Sequence, residues 1–306
     1  MTLDAILERQ GADADTPWPT RRAIIEEARR VRREFLIMLR ENAPASTRPA
    51  SLTTSLRPGT HPGLSQEAVA ELMTISSRTY RKLEAGEAAW SEDLLRLFEK
   101  AVGLDRDDEQ AAPMRQVLSN LTIGRTPRGL SASVVSTYDQ LHVDSQKAPS
   151  YLSNDWWEMV YRNKAMAEWF PALVPGTNIM AWCMSEEGSR CLLDWEQAWV
   201  RPMLAQLRAA YYSSLNGNTA LAERLAAVLA EVLTFEPVRR YWEQDKFTVY
   251  VGPNGNIRRM LHPTRGEKTI LLWSAQVLGT SNTRVMHVYE MAVGAAGVLE
   301  PVTPDC

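Results

Sequence analysis

The stretch SQEAVAELMTISSRTYRKLEAG, residues 65–86, decides how the N-terminal part of the chain folds. Ser65 is a good helix N-cap and Glu67 a first-turn acid. Ala68, Val69 and Leu72 face one way on the helix that follows. The pattern breaks at Thr74 and Ile75, after which Ser76 or Ser77 caps a second helix and Gly86 stops it. Ile75, Tyr80 and Leu83 complete a small core, and Ala70 has no bulk, so the helices can cross closely. A connection of only a few residues makes them meet at a steep angle. This spacing predicts a helix-turn-helix. Its second helix presents Ser76, Ser77, Arg78, Thr79, Arg81 and Lys82 outward, a mixture of short and long donors that suits phosphates and base edges. Gln66, at the start of the first helix, suits a phosphate. A small helical bundle with a polar surface is the plain alternative.

Working outward, residues 20–42 place Ile24, Ala28, Val31, Phe35, Met38 and Leu39 at helical spacing. Residues 43–63, rich in Pro, Ser and Thr, read as a loop. Ser91 caps a further helix that stops at Gly103, and residues 107–120 read as one more, with Pro113 starting or interrupting a turn. The net charge of −3 hides a division. Residues 21–100 hold 14 Lys and Arg against 11 Asp and Glu, whereas the segments on either side are each net −3. Arg21, Arg22, Arg29, Arg30, Arg32 and Arg33 crowd the start of the basic part, either as an electrostatic footprint or as a solvated helix face.

The texture changes beyond residue 120. A linker by composition is followed by a part that holds eight of the ten Trp, all after residue 150. WWEMVYRN reads as a strand ending at Asn163, with Trp157, Met159 and Tyr161 alternating along one face, and KAMAEWF as a short helix. Residues 195–215 and 219–233 read as amphipathic helices and residues 235–243 as a third piece. KFTVYVG, NIRRMLH, KTILLWSAQVLG and TRVMHVYEM are four β-like runs separated by turn signals. One strand, then helices, then an antiparallel meander suggests an α+β sensor-type domain. Phe170, Trp182, Trp195, Trp199, Tyr212 and Trp273 lie on elements able to converge with the first strand, as a pocket for a small apolar molecule or as ordinary core.

Chemistry-bearing motifs are missing. The sequence has no GxSxG, Walker or GxGxxG pattern, and His61, His142, His262 and His287 are scattered, so neither an enzyme, a cofactor nor a metal site is expected. Cys183 and Cys191, eight apart, read as small buried residues or a redox pair. The acidic, h-region-free N-terminus and the lack of an apolar run near 20 residues point to the cytoplasm and away from the membrane.

Residues 65–86 and the following SEDLLRLFEKAVGL resemble the Xre/Cro-type helix-turn-helix repressors. The order of helix-turn-helix, linker and APSYLSNDWWEMVYRNKAMAEWF resembles the MmyB-like regulators of actinobacteria, as do DWEQAWVRPMLAQLRAAYY, FEPVRRYWEQDKF and MLHPTRGEKTILLWSAQVL. The chain keeps that family's Pro62, Gly63 and Leu64, but Ser65 and Gln66 stand where two Arg are usual. The resemblance implies a mixed architecture: an all-α, lambda-repressor-like domain over residues 20–120, a linker over 121–140, a PAS-like α+β domain with an antiparallel sheet over 141–295, and a tail over 296–306. It implies that Ser77, Arg78 and Lys82 reach into the major groove while Gln66 and Ser76 meet phosphates. It implies that Asn163 caps a helix and ties a turn, and that Glu84 is structural. The expected protein is a homodimeric transcriptional regulator that binds double-stranded operator DNA and senses a small apolar, fatty-acid-like or secondary-metabolite ligand. The alternative is a constitutive DNA binder whose C-terminal domain is a dimerisation or protein-interaction module.

Overall fold

A computed structural model describes residues 21–47, 63–104, 111–123, 135–215, 219–244, 256–276, 283–294 and 298–302. The chain divides into two units. Described residues up to 123, with those of 208–222, belong to the first, and the remaining described residues to the second.

The first unit is helical. Helix α1 spans Arg21–Glu41, α2 Gln66–Leu72, α3 Ser77–Ala85, α4 Glu92–Ala101 and α5 Ala112–Thr122. The expected caps are in place, each filling an otherwise empty helix-end donor. Ser65 Oγ accepts from Ala68 N at 3.1 Å, Ser76 Oγ from Thr79 N at 3.0 Å and Ser91 Oγ from Leu94 N at 3.2 Å. Gly86 ends α3 in the left-handed region, at φ 77°. The turn between α2 and α3 holds a feature the spacing did not reveal: Thr74 is left-handed too, at φ 58°, a conformation that strains a β-branched residue. Phe35, Leu36, Val69, Tyr80, Leu83 and Phe98 are fully buried. Tyr80 and Trp90 both pack on Phe98, with ring centres 6.2 and 5.5 Å away. Gly63 has no room for a side chain, because a Cβ would sit 2.0 Å from the Glu41 carbonyl oxygen at the end of α1. Of the expected 43–63 loop, Ala45–Thr47 forms a 3-10 turn and residues 48–62 lie outside the described residues.

The second unit is built on an antiparallel sheet of order β2-β1-β5-β4-β3, with β6 pairing β5. The strands are β1 Ser150–Ser153, β2 Met159–Arg162, β3 Asn256–His262, β4 Gly266–Gln276, β5 Arg284–Val293 and β6 Leu299–Pro301. The helices are α6 Thr137–Ser145, α7 Lys164–Trp169, α8 Ile179–Cys183, α9 Glu186–Cys191, α10 Arg201–Ser214, α11 Thr219–Val232 and α12 Glu236–Gln244. A π-helical turn, Trp195–Val200, precedes α10, which passes at Arg208 into the first unit's share of the chain. Three readings of the sequence change here. Helix α6 begins inside the expected linker. Strand β6 occupies part of the expected tail. Trp157 lies outside the first strand, because its backbone turns left-handed, at φ 62°, two residues before β2 begins. The run KFTVYVG, residues 246–252, lies outside the described residues.

Asn163 holds one corner of this unit together. Its Oδ1 accepts from Met166 N at 2.9 Å, capping α7, and from Ser150 N at 3.1 Å. Its Nδ2 lies within 3.2 Å of the carbonyls of Val143, Gln146 and Ala148. On one sheet face Val285 packs with Leu152 and Val143 of α6. The other face carries Arg258, Leu272, Met286 and Val288 toward the site described next.

Candidate functional site

Alternation along β3 sends two neighbouring arginines to opposite fates. Arg259 is exposed and forks between Asp194 at 2.8 Å and Glu267 at 2.7 Å. Arg258 is 5% exposed, its guanidinium carbon 4.7 Å from the centre of the Trp199 ring. Beside it, between the sheet and the run from Trp157 to Gln206, lies a cavity of about 70 Å³. Its aromatic wall includes Tyr151, Trp157, Phe170, Trp182 and Trp199. Met166, Met180, Met203 and Met286 supply a second, unbranched and polarisable wall.

Backbone strain gathers at this cavity. Trp157, on its wall, is left-handed, and its N–H and C=O are pinned to Asn154 O at 3.1 Å and Ile179 N at 2.9 Å. Asp194 is left-handed at φ 53° and leads into the π-helical turn that carries Trp199. Strained non-glycine residues and π-turns persist where the surroundings over-determine them, and they concentrate at ligand clamps.

The electrostatics of the wall are one-sided. Arg258 supplies donors only, and neither Asp nor Glu lines the cavity. The indole N–H groups of Trp182 and Trp199 are buried without an acceptor. Burial pushes the Cys183 thiol up to about 12 and raises the Tyr151 phenol, Arg258 offsetting both only in part, so both stay protonated at neutral pH. Cys183 and Cys191 are free thiols.

Of the nine residues read from the sequence as ligand-facing, the structure brings Trp157, Phe170, Trp182 and Trp199 together on the cavity. Met159 is fully buried in β2 without lining it. Tyr161 donates its hydroxyl to Asp144 at 2.7 Å, on the α6 side. Trp195 donates to the Cys183 carbonyl at 2.8 Å and packs on Phe235. Trp273 is 41% exposed and stacks on His287. Tyr212 falls in the first unit. Arg258, Tyr151 and the four methionines were missed, although the period of two across Arg258-Arg259-Met260 already separated the two arginines.

In the first unit, α3 exposes Ser76, Arg78, Thr79, Arg81 and Lys82 and half-buries Ser77. Arg81 is paired with Glu67 at 2.7 Å, and Ser76 and Thr79 share a hydroxyl contact of 2.7 Å. Gln66 donates to Glu84 Oε1 at 2.6 Å. Glu84, 3% exposed, also accepts from Tyr80 at 3.0 Å and from Arg40 Nε at 3.1 Å, and Arg40 donates on to Leu64 O at 2.8 Å. One buried carboxylate thus locks α1, α2 and α3 in mutual register. The Arg-rich start of α1 is no unbroken cationic strip: Arg30 pairs with Glu34 at 2.9 Å, and Arg32 is half-buried, its pKa lowered by burial and then by Arg29.

Among the described residues no cluster of three or more His, Cys, Asp and Glu is placed to hold a metal ion, and no helix is long and apolar enough to cross a membrane. The second unit is thus an antiparallel sheet with a helical cover, the two walling a small aromatic cavity. The chain belongs to the family described as MmyB-like transcription regulator ligand binding domain, whose model matches residues 136–296. No curated protein matches the chain.

Proposed function

We propose that the chain is a sequence-specific DNA-binding regulator in which the PAS-like second unit senses a small, largely apolar molecule and the helix-turn-helix of α2 and α3 reads an operator as a homodimer. The observation that carries this reading is the aromatic cavity, ringed by strained backbone, inside a domain of a ligand-binding family. Support on the DNA side comes from α3, where Arg78 and Lys82 are exposed beside Ser77 and Thr79. Arg78 meets a guanine and Lys82 a neighbouring base or phosphate, while Ser76 and Gln66 lie close to the backbone. Arg81, engaged by Glu67, serves the backbone or stays on the surface. Arg78→Ala relaxes the preference at one base position of each half-site, by roughly 1–3 kcal/mol, in a binding-site selection. An unchanged selected motif contradicts that role.

The cavity, at about 70 Å³, is well below the roughly 300 Å³ of an ordinary ligand pocket. That difference favours a second reading, in which the second unit is an interaction module. The exposed face bearing Trp273, with Tyr138 and Leu141 exposed on α6, gives that reading a surface. Native mass spectrometry of the purified full chain, followed by organic extraction, separates the two. A bound small molecule released on denaturation supports sensing; an empty chain that dimerises regardless of added ligand supports the interaction module.

A further inference from the structure

We infer that the outer face of the second unit's sheet, flanked by α6, is the surface through which two copies of this chain meet. This rests on the homodimer in the reading above and names the surface that forms it.

Among the described residues twelve large apolar side chains are exposed, and seven of them lie on this face or on the helix beside it. The strand register puts them there. Residues directly opposite in an antiparallel pair point the same way, as do residues two apart along a strand. Trp273 of β4 lies opposite His287 of β5, and Leu271 lies opposite both Ile257 of β3 and Tyr289 of β5. Leu261 follows Ile257 by four along β3, and Val293 of β5 pairs with Leu299 of β6. The cavity residues Arg258, Leu272, Met286 and Val288 have the opposite parity, so this face is the other side of the sheet. Helix α6 continues it. The His142 ring lies 5.6 Å from His287, which stacks on Trp273 at 5.3 Å. Tyr138 is one turn before Leu141 and His142, so the three form one stripe along α6.

A contiguous apolar surface of this kind marks a place where another molecule packs. Charge and size point to a second copy. On the outer face of β3 and β4, Arg259 and Glu267 are bound to each other at 2.7 Å, and Arg259 also holds Asp194 at 2.8 Å. Neither sign prevails there, so the face meets its own image across a two-fold axis without opposing like charges. Homodimer interfaces are also the more apolar class. Strands about 4.8 Å apart, with α6 about 10 Å wide beside them, make a face about 25 Å across. The rise from Glu267 to Trp273 makes it about 20 Å long. That is about 500 Å² in projection and more with side-chain relief, close to the roughly 800 Å² that each partner gives to a standard interface.

The full chain is examined by sedimentation equilibrium from about 1 to 100 μM. The wild type is a dimer. Tyr138→Glu and Val293→Glu, at positions 82% and 71% exposed, each weaken self-association about tenfold or more. Leu97→Glu and Val174→Glu make the same change at exposed apolar positions off this face and leave the dimer as it was. Hydroxyl-radical footprinting of the wild type shows Tyr138 and Trp273 becoming protected as the chain passes from monomer to dimer. A dimer of wild-type strength in both face variants overturns this inference and leaves the homodimer standing. Equal weakening by the two off-face variants overturns it too, as does an unchanged footprint. A wild type that stays monomeric across the range overturns the homodimer and this inference with it, and leaves the face to a different partner. The footprint decides the matter even where a face variant does not fold.

Discussion

Two buried polar sites in this molecule are treated in opposite ways. In the first unit Glu84 is buried and receives Arg40, Gln66 and Tyr80, from three helices. In the second unit the indole N–H groups of Trp182 and Trp199 are buried and donate to nothing. A polar group with every partner supplied from within its own fold specifies that fold, whereas one left open within a cavity points outward, to something the fold is made to meet. The contrast teaches where to look for function: at the unfilled donors and strained backbone around Trp157 and Trp199, while the polar core behind α3 holds that helix in register with α1 and α2.

Breaking the satisfied site has the largest effect. Glu84→Ala removes the buried acceptor shared by Arg40, Gln66 and Tyr80, leaves half-buried Arg40 only the Glu41 carboxylate at 3.4 Å, and destabilises the first unit by about 2–4 kcal/mol in urea unfolding. A loss no larger than that of a surface substitution shows that Glu84 does not hold the three helices together.

His287 gives the next effect. It is buried against Ser150, with a 2.7 Å contact to Nδ1, and beside His142, Trp273 and Tyr289. Burial, and after it His142, lowers its pKa from 6.5 to about 4. The unfolded chain therefore binds a proton that the folded chain refuses between those values. The stabilisation from keeping His287 neutral is fully present above about pH 6.5 and is lost as the pH falls toward 4, by up to about 3 kcal/mol. His287→Gln flattens that part of the pH profile of stability; an equally steep profile in the variant assigns the slope to other groups.

Thr74→Gly sharpens the comparison from the side of strain. Left-handed backbone in the α2–α3 turn costs a β-branched residue about 1 kcal/mol, so the glycine variant unfolds later by roughly that amount, net of its looser unfolded chain. A drop in stability shows that the Thr74 side chain is itself needed. Trp199→Phe gives the smallest change. It removes a donor that had no partner and keeps a ring beneath Arg258, so the cost is limited to lost packing and a weaker cation–π contact, about 1 kcal/mol and well short of Glu84→Ala.

What could be read in advance follows the range of the forces involved. Ser65, Ser76, Ser91 and Gly86 act within three or four residues, and their roles are plain from the residue types. Asn163 as cap and tie was expected from the family resemblance, and its five contacts explain why that corner depends on it. Helix α6 was hidden because its sequence, TYDQLHVDS, buries only Val143 and Asp139 and exposes Tyr138 and Leu141, so it has no apolar stripe. Strand β1 was hidden because four buried residues in a row show no alternation. Trp157 misled because a left-handed residue breaks the period of two without leaving a mark in composition. Glu84 drew its charged partner from Arg40, 44 residues away, a pairing that only the packing of α1 on α3 creates. The cavity was half legible: aromatic content marked its wall, while Arg258 passed as one of a pair of ordinary strand arginines.

In the proposed regulator, ligand occupancy in the second unit governs operator binding by the first. The direct measurement is a gel shift of the full chain on its selected operator, at fixed salt, with the molecule extracted from the purified protein present or stripped away. The expected midpoint moves by about fivefold or more between the two states, because a ligand acts only through differential affinity for the DNA-competent arrangement. An identical midpoint with a demonstrably filled and a demonstrably empty cavity contradicts it.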